Sequence, residues 1–554
     1  MLSKIITASL CGLDAELVTV ETHMSSGLPA LNLVGLPDQS VKESKERIRS
    51  ALMNTGYTFP SKRITVNLSP ADTKKTGTHF DLPMALGILA LLENVSEDML
   101  EHTAFLGELS LDGAVNKVES CLALVIGLKQ KGIDTVFVPM ENLQEVLDIR
   151  GLTVYPVTHF REIIDHFTGF DTLTIKSMRQ TDTALTVLPE SAVAGQIEPS
   201  GTVSPATGDF SEVMGQEFAK RAFLISAAGK HDLSMIGPPG SGKTMLAKRM
   251  PSILPRLLYA ETLEITKLYS IAGETYTGVE SGIRPFRAPH HSITPQALLG
   301  GGHRPKPGEL SLAHMGVLFL DELPEFSRVT LDTLRQPLED KFILISRALS
   351  RIKYPCNFIL ITAMNPCPCG YYGHPEKECI CTETQRQRYF SKISGPLKDR
   401  IDLHIDVAPV EFNELRGQSI LNSFSSTEHP SGLKTPAESL GTLSTDPTET
   451  LQSSAGMRVK AAQAHEIQRR RYANEMITYN SELTPAMVSK YCPLDTSSEK
   501  LLAQAYDVFS LSARAGEKII KIARTIADLD HVEQIKQEHI AEAIRYRAPS
   551  IYAR

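Results

Sequence analysis

The feature that most constrains this chain is a glycine-rich loop set between an apolar run and a helix-forming run. The loop reads Gly-Pro-Pro-Gly-Ser-Gly-Lys-Thr over residues 237–244. The apolar run 233–236 precedes it, and a helix is predicted over 245–249. In this setting the backbone N–H groups of the loop and of the helix N-terminus surround phosphate. The pattern predicts an α/β fold with an ATP site formed by Gly237, Pro238, Pro239, Gly240, Ser241, Gly242, Lys243 and Thr244.

A second apolar run places two carboxylates near this loop. Residues 317–320 read as a buried strand, and Asp321 and Glu322 follow directly. The carboxyl ends of strands in open α/β sheets are where ligands bind. We therefore expect Lys243 to contact the β- and γ-phosphates, and Thr244 and Asp321 to hold Mg²⁺. Glu322 is expected to orient or deprotonate the attacking water.

Three polar residues farther along extend the predicted site. A strand predicted over 358–362 leads to Asn365, which resembles sensor 1 of AAA+ proteins in contact with the γ-phosphate or the water. Arg400 precedes a further strand and resembles an arginine finger that reaches a neighbour's ATP. Arg514, at the start of a C-terminal helix, resembles sensor 2. A surface salt bridge remains the alternative interpretation of Arg400.

Length and composition divide the chain into several parts. Its 554 residues are too many for one core. We predict an α/β domain at 1–168, a Ser/Thr/Pro/Gly-rich linker at 169–207, an ATPase core at 208–411, a flexible insertion at 412–457 and a helical domain at 458–554. The net charge of -7 neither predicts nor excludes nucleic-acid binding. The sequence has no apolar run long enough to span a bilayer, so we expect a cytoplasmic location without membrane contact.

Four of the eight cysteines fall close together, which indicates a metal site in a reducing compartment. Two thiolate pairs can form a tetrahedral Zn²⁺ site, although Cys-x-Cys is tighter than the usual ligand spacing. His374, in the loop between the pairs, could replace one cysteine. The alternatives are reduced cysteines in an exposed loop or two labile disulfides. The candidate ligands are Cys367, Cys369, Cys379 and Cys381.

Taken together, these motifs resemble the magnesium-chelatase-like AAA+ ATPases of the YifB/ComM type over nearly the whole chain. Further segments that carry the resemblance are Gly35–Asp38, Arg287–Ser292, Leu299–Gly302, Asn365–Gly370 and Ala523–Asp528. The resemblance implies an α/β multidomain protein with a Lon-protease-like N-terminal domain. It also implies a AAA+ P-loop core of the helix-2-insert clade and a helical C-terminal lid domain of the magnesium-chelatase type.

The resemblance also implies a function. Members of this type include a hexameric helicase that promotes branch migration during natural transformation. By this resemblance the cofactors are ATP and Mg²⁺. The implied partners are further copies of the chain, DNA and recombination proteins.

The N-terminal domain lacks the groups of a Lon-type protease. Such proteases use a Ser–Lys dyad in which the amine activates the hydroxyl. Asp81 stands at the position that matches the serine, and Leu122 at the position that matches the lysine. Lys117 lies nearby but about one helical turn too early. We therefore expect a degenerate scaffold that serves oligomerisation or DNA contact and has no peptidase activity.

Basic residues between the nucleotide motifs are candidate DNA contacts. Arg287 lies where helicases of the implied clade carry a pore hairpin. Residues 341–353 read as a second hairpin with Arg347, Arg351 and Lys353, which would follow phosphates. A salt-bridged surface hairpin is the alternative interpretation. The basic cluster at 469–471 is better interpreted as a solvated helix face.

Two functions remain open from the sequence. The first is a hexameric ATP-driven DNA motor. The second is an ATP-dependent remodeller of a protein partner, in the manner of magnesium-chelatase ATPase subunits. An ATP-dependent protease is disfavoured because both dyad groups are replaced at Asp81 and Leu122.

Overall fold

The computed structural model describes most of the chain, in ranges separated by gaps. These ranges are residues 2–93, 95, 100–168, 178–179, 208–278, 281–302, 305–347, 350–409, 453–509 and 511–547. The predicted linker at 169–207 lies outside them apart from 178–179, and the predicted insertion at 412–457 lies outside them apart from 453–457.

A mixed sheet organises the first part of the chain. Its strands, and the short pair β6 and β7 beside it, are β1 (Leu2–Cys11), β2 (Asp14–Ser25), β3 (Ala30–Val34), β4 (Arg63–Ser69), β5 (Thr103–Phe105), β6 (Glu108–Leu109), β7 (Val115–Asn116), β8 (Thr135–Pro139), β9 (Thr153–Val157) and β10 (Met178–Arg179). The eight-stranded sheet has the order β10-β9-β8-β5-β1-β2-β4-β3. Strand β1 is antiparallel to β2 and parallel to β5.

Alternation along these strands gives the sheet two apolar faces. In β1, Ile5 belongs to one buried cluster and Ala8 to another. Helices α1 and α2 contribute to the first cluster, and α3 contributes to the second. The helices of this part are α1 (Gln39–Asn54), α2 (Asp81–Leu92), α3 (Cys121–Gln130), α4 (Leu143–Val146) and α5 (Phe160–Thr168).

A five-stranded parallel sheet forms the centre of the next part, in the order β12-β15-β18-β11-β19. Two paired two-residue strands and a separate two-stranded hairpin accompany it. The strands are β11 (Leu233–Ile236), β12 (Phe286–Arg287), β13 (Gly300–Gly301), β14 (Lys306–Pro307), β15 (Val317–Leu320), β16 (Phe342–Arg347), β17 (Ser350–Pro355), β18 (Ile359–Met364) and β19 (Leu403–Asp406). The central strands β11, β15 and β18 are buried along their whole length, as parallel sheets covered on both faces require.

Helices cover both faces of this parallel sheet. Along β15, Phe319 faces the cluster that contains α6 and α7, and Leu318 faces the opposite cluster. The helices are α6 (Glu217–Gly229), α7 (Lys243–Ile253), α8 (Tyr259–Ala272), α9 (Pro295–Leu299), α10 (Glu309–Leu312), α11 (Arg328–Thr333), α12 (Arg335–Asp340), α13 (Glu383–Ser391) and α14 (Gly395–Arg400). The helix after the glycine-rich loop is longer than the predicted 245–249, and β18 extends beyond the predicted 358–362 to Met364.

The described residues after 452 form helices that pack on this sheet domain. They are α15 (Ser454–Arg471), α16 (Pro485–Tyr491), α17 (Thr496–Phe509), α18 (Ala513–Leu529) and α19 (Gln537–Arg545). Helix α15 begins earlier than the predicted residue 458 because the side chain of Ser453 caps it by accepting a hydrogen bond from the backbone N–H of Gly456. Gln468 of α15 donates to the carbonyl of Ala228 in α6 at 3.0 Å.

Helix α8 connects the N-terminal sheet to the parallel sheet domain. Lys267 of α8 forms an ion pair with Asp14 at 3.2 Å, and Ser120 donates to the carbonyl of Ser270 at 3.3 Å. Helix α3 packs against α8 in the same region. Across the described ranges, no helix has both the length and the apolar composition needed to cross a bilayer.

Candidate nucleotide site and cysteine cluster

The glycine-rich loop joins β11 to α7, as the motif predicts. Its first residue, Gly237, donates from its backbone N–H to the carbonyl of Met364 at 3.2 Å. A Cβ at Gly237 would lie 2.3 Å from the carbonyl oxygen of Val407, so only glycine fits there. Gly240 and Gly242 adopt φ angles of +80° and +85°, in the left-handed region that favours glycine. The loop therefore needs glycine at these three positions.

The side chain of Lys243 lies inside this loop. Its Nζ donates to the carbonyls of Gly237 at 2.7 Å and Pro238 at 2.8 Å, and lies 3.4 Å from Oδ1 of Asn365. Burial lowers the pKa of the Lys243 ammonium, and the nearby Asp321 carboxylate acts in the opposite direction. The loop carbonyls thus satisfy the donors of an ammonium that is positioned to meet phosphate oxygens.

The two predicted Mg²⁺ ligands lie side by side. The hydroxyl of Thr244, in the first turn of α7, donates to Oδ2 of Asp321 at 2.7 Å. Asp321 follows β15 directly, at the carboxyl edge of the sheet. An oxygen pair of this spacing fits the compact octahedral shell of Mg²⁺, which keeps several waters and binds through one or two protein oxygens.

The predicted catalytic carboxylate is held in an unusual backbone conformation. Glu322 has a φ of 51°, and its backbone N–H donates to Oδ1 of Asp321 at 2.9 Å. Its Oε2 lies 3.4 Å from Nδ1 of His291, on the segment after β12. His291 is not among the site residues that the sequence patterns predict. Its only signal was its position in the Arg287–Ser292 motif between the two nucleotide motifs.

Arg400 ends α14 and is held by its own chain. One Nη donates to the carbonyl of Pro396 at 2.8 Å, and the other forms an ion pair with Glu339 on α12. Among the described residues, nothing accepts a hydrogen bond from its Nε. The intramolecular ion pair agrees with the alternative interpretation, and a finger role requires Arg400 to leave Glu339.

Arg514 lies in the first turn of α18 and is exposed. Ser512 caps this helix by accepting from the backbone N–H of Ala515 at 3.2 Å. Within the described ranges, neither Arg514 nor Arg400 donates a hydrogen bond to the glycine-rich loop. The single chain therefore brings together Lys243, Thr244, Asp321, Glu322 and Asn365, and among the described residues no hydrogen bond joins either arginine to them.

The four predicted cysteine ligands converge on one point. Their Sγ atoms all lie within 4.8 Å of one another. His374 does not belong to this group, and its Nδ1 accepts from the backbone N–H groups of Glu376 at 3.0 Å and Lys377 at 3.2 Å. All four thiols are free, which argues against the disulfide alternative.

The candidate DNA contacts differ in whether carboxylates of the same chain already pair with them. Arg287 pairs through two nitrogens with Glu309, each at 2.7 Å, and through a third with Glu274 at 3.0 Å. Because these glutamates pair with all three guanidinium nitrogens, Arg287 has a structural role within its own chain that sequence spacing did not predict. By contrast, Arg351 and Lys353 are exposed on β17, and Lys353 lies 4.0 Å from the ring centre of Phe342.

On the same hairpin, Arg347 pairs in register with Ser350 at the turn end. Its side chain lies outside the described part of the structure.

The positions that match a protease dyad have structural roles. Asp81 is buried and accepts from Nε of Arg47 at 2.6 Å and from the hydroxyl of Ser44. Leu122 is buried in the second apolar cluster of the N-terminal sheet, whereas Lys117 is exposed. Neither a hydroxyl nucleophile nor a buried amine stands at the matching positions.

Three family models match the chain in succession. The model described as "Subunit ChlI of Mg-chelatase" matches residues 20–142. "Magnesium chelatase, subunit ChlI" matches residues 209–415, and "Magnesium chelatase, subunit ChlI C-terminal" matches residues 451–547. The middle match contains the glycine-rich loop, the Thr244–Asp321 pair and the cysteine cluster.

Curated relatives match over the full length. The chain is 38% identical over 547 residues to the uncharacterized protein YifB of Salmonella typhimurium, covering 99% of the chain and 97% of the relative. The competence protein ComM of Haemophilus influenzae matches with the same identity and coverage. A weaker, local similarity to Lon protease 2 of Bacillus subtilis is 29% over 125 residues, or 22% of either chain.

Proposed function

Because this chain belongs to the magnesium-chelatase-like family of AAA+ ATPases that includes YifB and ComM, we propose that it is an ATP-hydrolysing ring motor that acts on DNA. The observation that carries the proposal is the convergence of Lys243, Thr244, Asp321 and Asn365 at one edge of a parallel sheet. Family membership supports the ATPase activity. The ring, the DNA substrate and the roles of individual residues are our proposal.

Hydrolysis follows from the placement of the side chains. Lys243 and the loop N–H groups bind the phosphates, and Thr244 and Asp321 hold Mg²⁺, which neutralises charge on the phosphate oxygens. Glu322 takes the proton of the attacking water, and Asn365 orients that water or the γ-phosphate. The 3.4 Å separation of His291 from Glu322 supports His291 as the group that positions the carboxylate before attack.

A ring is required if the positive charge that completes the ATP site comes from a neighbouring subunit. Lys243 already occupies the loop, and Arg400 is paired with Glu339 on its own chain. We propose that ring assembly moves Arg400 from Glu339 to the neighbour's γ-phosphate, where a guanidinium stabilises the transition state. Arg514 supplies a further positive charge from the C-terminal helices, and the proposed assembly is a hexamer.

The domain plan of the proposal has three working parts. A degenerate Lon-like domain spans 1–168, the AAA+ core 208–411 and a helical lid 458–554, with the linker at 169–207 and the insertion at 412–457 between them. The helix α9 and the β13/β14 pair, inserted between β12 and β15, support assignment of the core to the helix-2-insert clade. The buried Asp81–Arg47 ion pair supports a scaffold role for the first domain, without peptidase activity.

DNA is the proposed substrate, and branch migration during recombination or natural transformation is the proposed task. The name of the competence protein ComM supports this choice. The exposed Arg351 and Lys353 on the β16/β17 hairpin support a phosphate-tracking surface, with recombination proteins as further partners. The cofactors of the proposal are ATP, Mg²⁺ and a structural Zn²⁺ at the four cysteines, and the proposed location is the cytoplasm.

A second candidate is an ATP-dependent remodeller of a protein partner. It is favoured by the three matching family models, which are all named after a magnesium-chelatase subunit. A basic hairpin would also suit an acidic protein client.

One experiment separates these candidates. The chain is incubated with ATP and a labelled four-way DNA junction, with the Lys243→Ala variant as the control. The DNA motor predicts ATP-dependent conversion of the junction to products by the unaltered chain only. An intact junction under conditions where the chain hydrolyses ATP would contradict the DNA motor and favour a protein client.

A further inference from the structure

The sulfur geometry of the cysteine cluster fits a single tetrahedral metal ion. The Sγ atom of Cys367 lies 3.3 Å from that of Cys369 and 3.6 Å from that of Cys379, and the Cys369–Cys379 separation is 3.7 Å. Four sulfurs about 2.3 Å from a central zinc ion are about 3.8 Å apart in a regular tetrahedron. The fourth thiol, Cys381, lies within the same 4.8 Å limit. Small adjustments of the side chains would therefore bring all four sulfurs to bonding distance from one ion.

Backbone N–H groups support the cysteine cluster. That of Gly370 donates to the carbonyl oxygen of Cys367 at 3.0 Å. The backbone N–H of Cys369 donates to the sulfur of Cys381 at 3.4 Å. Such donors orient metal-bound thiolates and balance part of their charge, as second-shell partners of metal ligands do. Cys367 is fully buried, and the other three thiols are partly exposed, which leaves a path for an ion to enter.

The cluster is in contact with the tip of the phosphate loop. Gly370, one residue after the ligand Cys369, has a φ of +85°. A Cβ on Gly370 would lie 2.7 Å from Cδ of Pro239, so the backbone of Gly370 packs against the proline ring without space for a side chain. Pro239 belongs to the segment that surrounds the phosphates. Any displacement of the cysteine loop would therefore release one side of the phosphate loop.

The cluster is also tied to Asn365 from two directions. Asn365 lies two residues before Cys367 along the chain. Helix α13 begins at Glu383, after Thr382, which caps it next to Cys381. The backbone N–H of Asn365 acts on the hydroxyl of the buried Tyr389 of α13, where it opposes the rise in pKa that burial causes. An ion that joins the two Cys-x-Cys pairs would thus fix two paths to Asn365, the covalent one through Cys367 and the non-covalent one through α13.

We infer that a zinc ion bound by Cys367, Cys369, Cys379 and Cys381 acts as a structural brace. It holds Asn365 and the tip of the phosphate loop in the relative positions that ATP binding requires. This inference rests on the proposed ATPase function. It assigns to the metal a defined task in nucleotide binding, through the Gly370–Pro239 contact and the Asn365–Lys243 pair. Metal loss is therefore predicted to weaken ATP binding, although the four cysteines are not among the residues proposed to hold the nucleotide.

The test uses the full chain and three variants. Zinc per chain is measured by elemental analysis, and affinity is measured with a fluorescent ATP analogue, independently of hydrolysis. Cys379→Ser removes a ligand, and Gly370→Ala leaves all four ligands in place but forces a Cβ against Pro239. Cys11→Ser is the matched control, because Cys11 is an exposed thiol at the end of β1, outside the cluster.

We expect one zinc per chain in the unaltered protein and in Cys11→Ser. Cys379→Ser should lose the metal and bind the analogue about 10-fold more weakly, the lower end of the range seen when supports of metal sites are removed. Gly370→Ala should keep the metal and show a similar loss of affinity. If Cys379→Ser does not fold, chelation of the unaltered chain followed by zinc addition replaces it, with loss and recovery of affinity expected.

Two results would overturn the inference. One is a reduced, zinc-supplemented chain that retains no metal. The other is metal loss that leaves the affinity for the analogue unchanged. A chain that binds zinc and the analogue as expected but hydrolyses no ATP would contradict the proposed motor and leave the brace supported.

Discussion

The ammonium group of Lys518 on α18 donates a hydrogen bond to the backbone carbonyl of Arg400 at 2.5 Å. The same nitrogen lies 2.7 Å from Oδ1 of Asp402, whose other oxygen lies 3.0 Å from Nδ1 of His231. Helix α18, which carries Arg514 in its first turn, is therefore fixed to the segment that carries Arg400. This contact gives the C-terminal helices a direct physical path to the proposed finger.

Replacing Lys518 with methionine should loosen that segment. We expect retained nucleotide binding, slower hydrolysis and a loss of about 2 kcal/mol in unfolding free energy, because a charge-assisted hydrogen bond to the largely buried Asp402 is removed. Hydrolysis rate and denaturant unfolding measure the two effects. Lys518→Arg keeps the charge and should restore most of the rate. Equal rates in the unaltered chain and in Lys518→Met would contradict the coupling.

Replacing Glu322 with glutamine should trap ATP. The amide cannot take a proton from water, so turnover should fall by about 10²–10⁴-fold while ATP binding persists. Retention of labelled ATP on rings isolated by gel filtration is the measurement. Glu325→Gln is the control, since Glu325 is a nearby carboxylate that pairs with Lys392 at 3.6 Å. Rapid turnover by Glu322→Gln would mean that another group is the base.

Replacing Arg400 with alanine should preserve ATP binding and lower turnover by on the order of 10³-fold, the scale of an arginine finger. Glu339→Gln, which removes the partner of Arg400 in the single chain, should keep turnover.

Mixing two inactive variants tests whether Arg400 acts on a neighbour. Lys243→Ala lacks a working ATP site but keeps Arg400, and Arg400→Ala has the reverse defect. A mixed ring contains interfaces with both groups intact, so mixing should recover part of the activity. No recovery in rings shown to be mixed would contradict action in trans.

Several parts of this structure could be predicted from local sequence, and others could not. The glycine-rich loop, β11, β15 and the Thr244–Asp321 pair follow from short patterns whose geometry is local or set by the sheet edge. The pairing of Arg400 with Glu339, 61 residues away, depends on how α12 meets α14. The sequence pattern of neither segment indicates that Arg400 and Glu339 lie close together.

Arg287, a predicted DNA contact, is a second case that local sequence could not predict correctly. Its position between the nucleotide motifs made it a candidate, yet Glu309 and Glu274 converge on its guanidinium in the folded chain. A basic residue in a sequence does not reveal whether its charge is already balanced by distant carboxylates. His291 was missed for a similar reason, because its approach to Glu322 exists only once the sheet has formed.

Replacing Arg351 with alanine should weaken binding of single-stranded DNA and lower the slope of affinity against salt concentration by about one. The physical reason is the loss of one phosphate contact on the exposed hairpin. Fluorescence anisotropy at several salt concentrations measures both quantities. Arg469→Ala removes another exposed arginine, on α15, and should leave the slope unchanged. Equal slopes for Arg351→Ala and the unaltered chain would remove the hairpin from the DNA surface.

The most direct test of the central claim is the steady-state rate of ATP hydrolysis with and without single-stranded and forked DNA, at two salt concentrations. A DNA motor predicts a clear rise in rate with DNA at low salt, and a smaller rise at high salt because its phosphate contacts are screened. The Lys243→Ala variant should show no rate under any of these conditions. A rate that neither DNA changes at low salt would contradict the DNA motor.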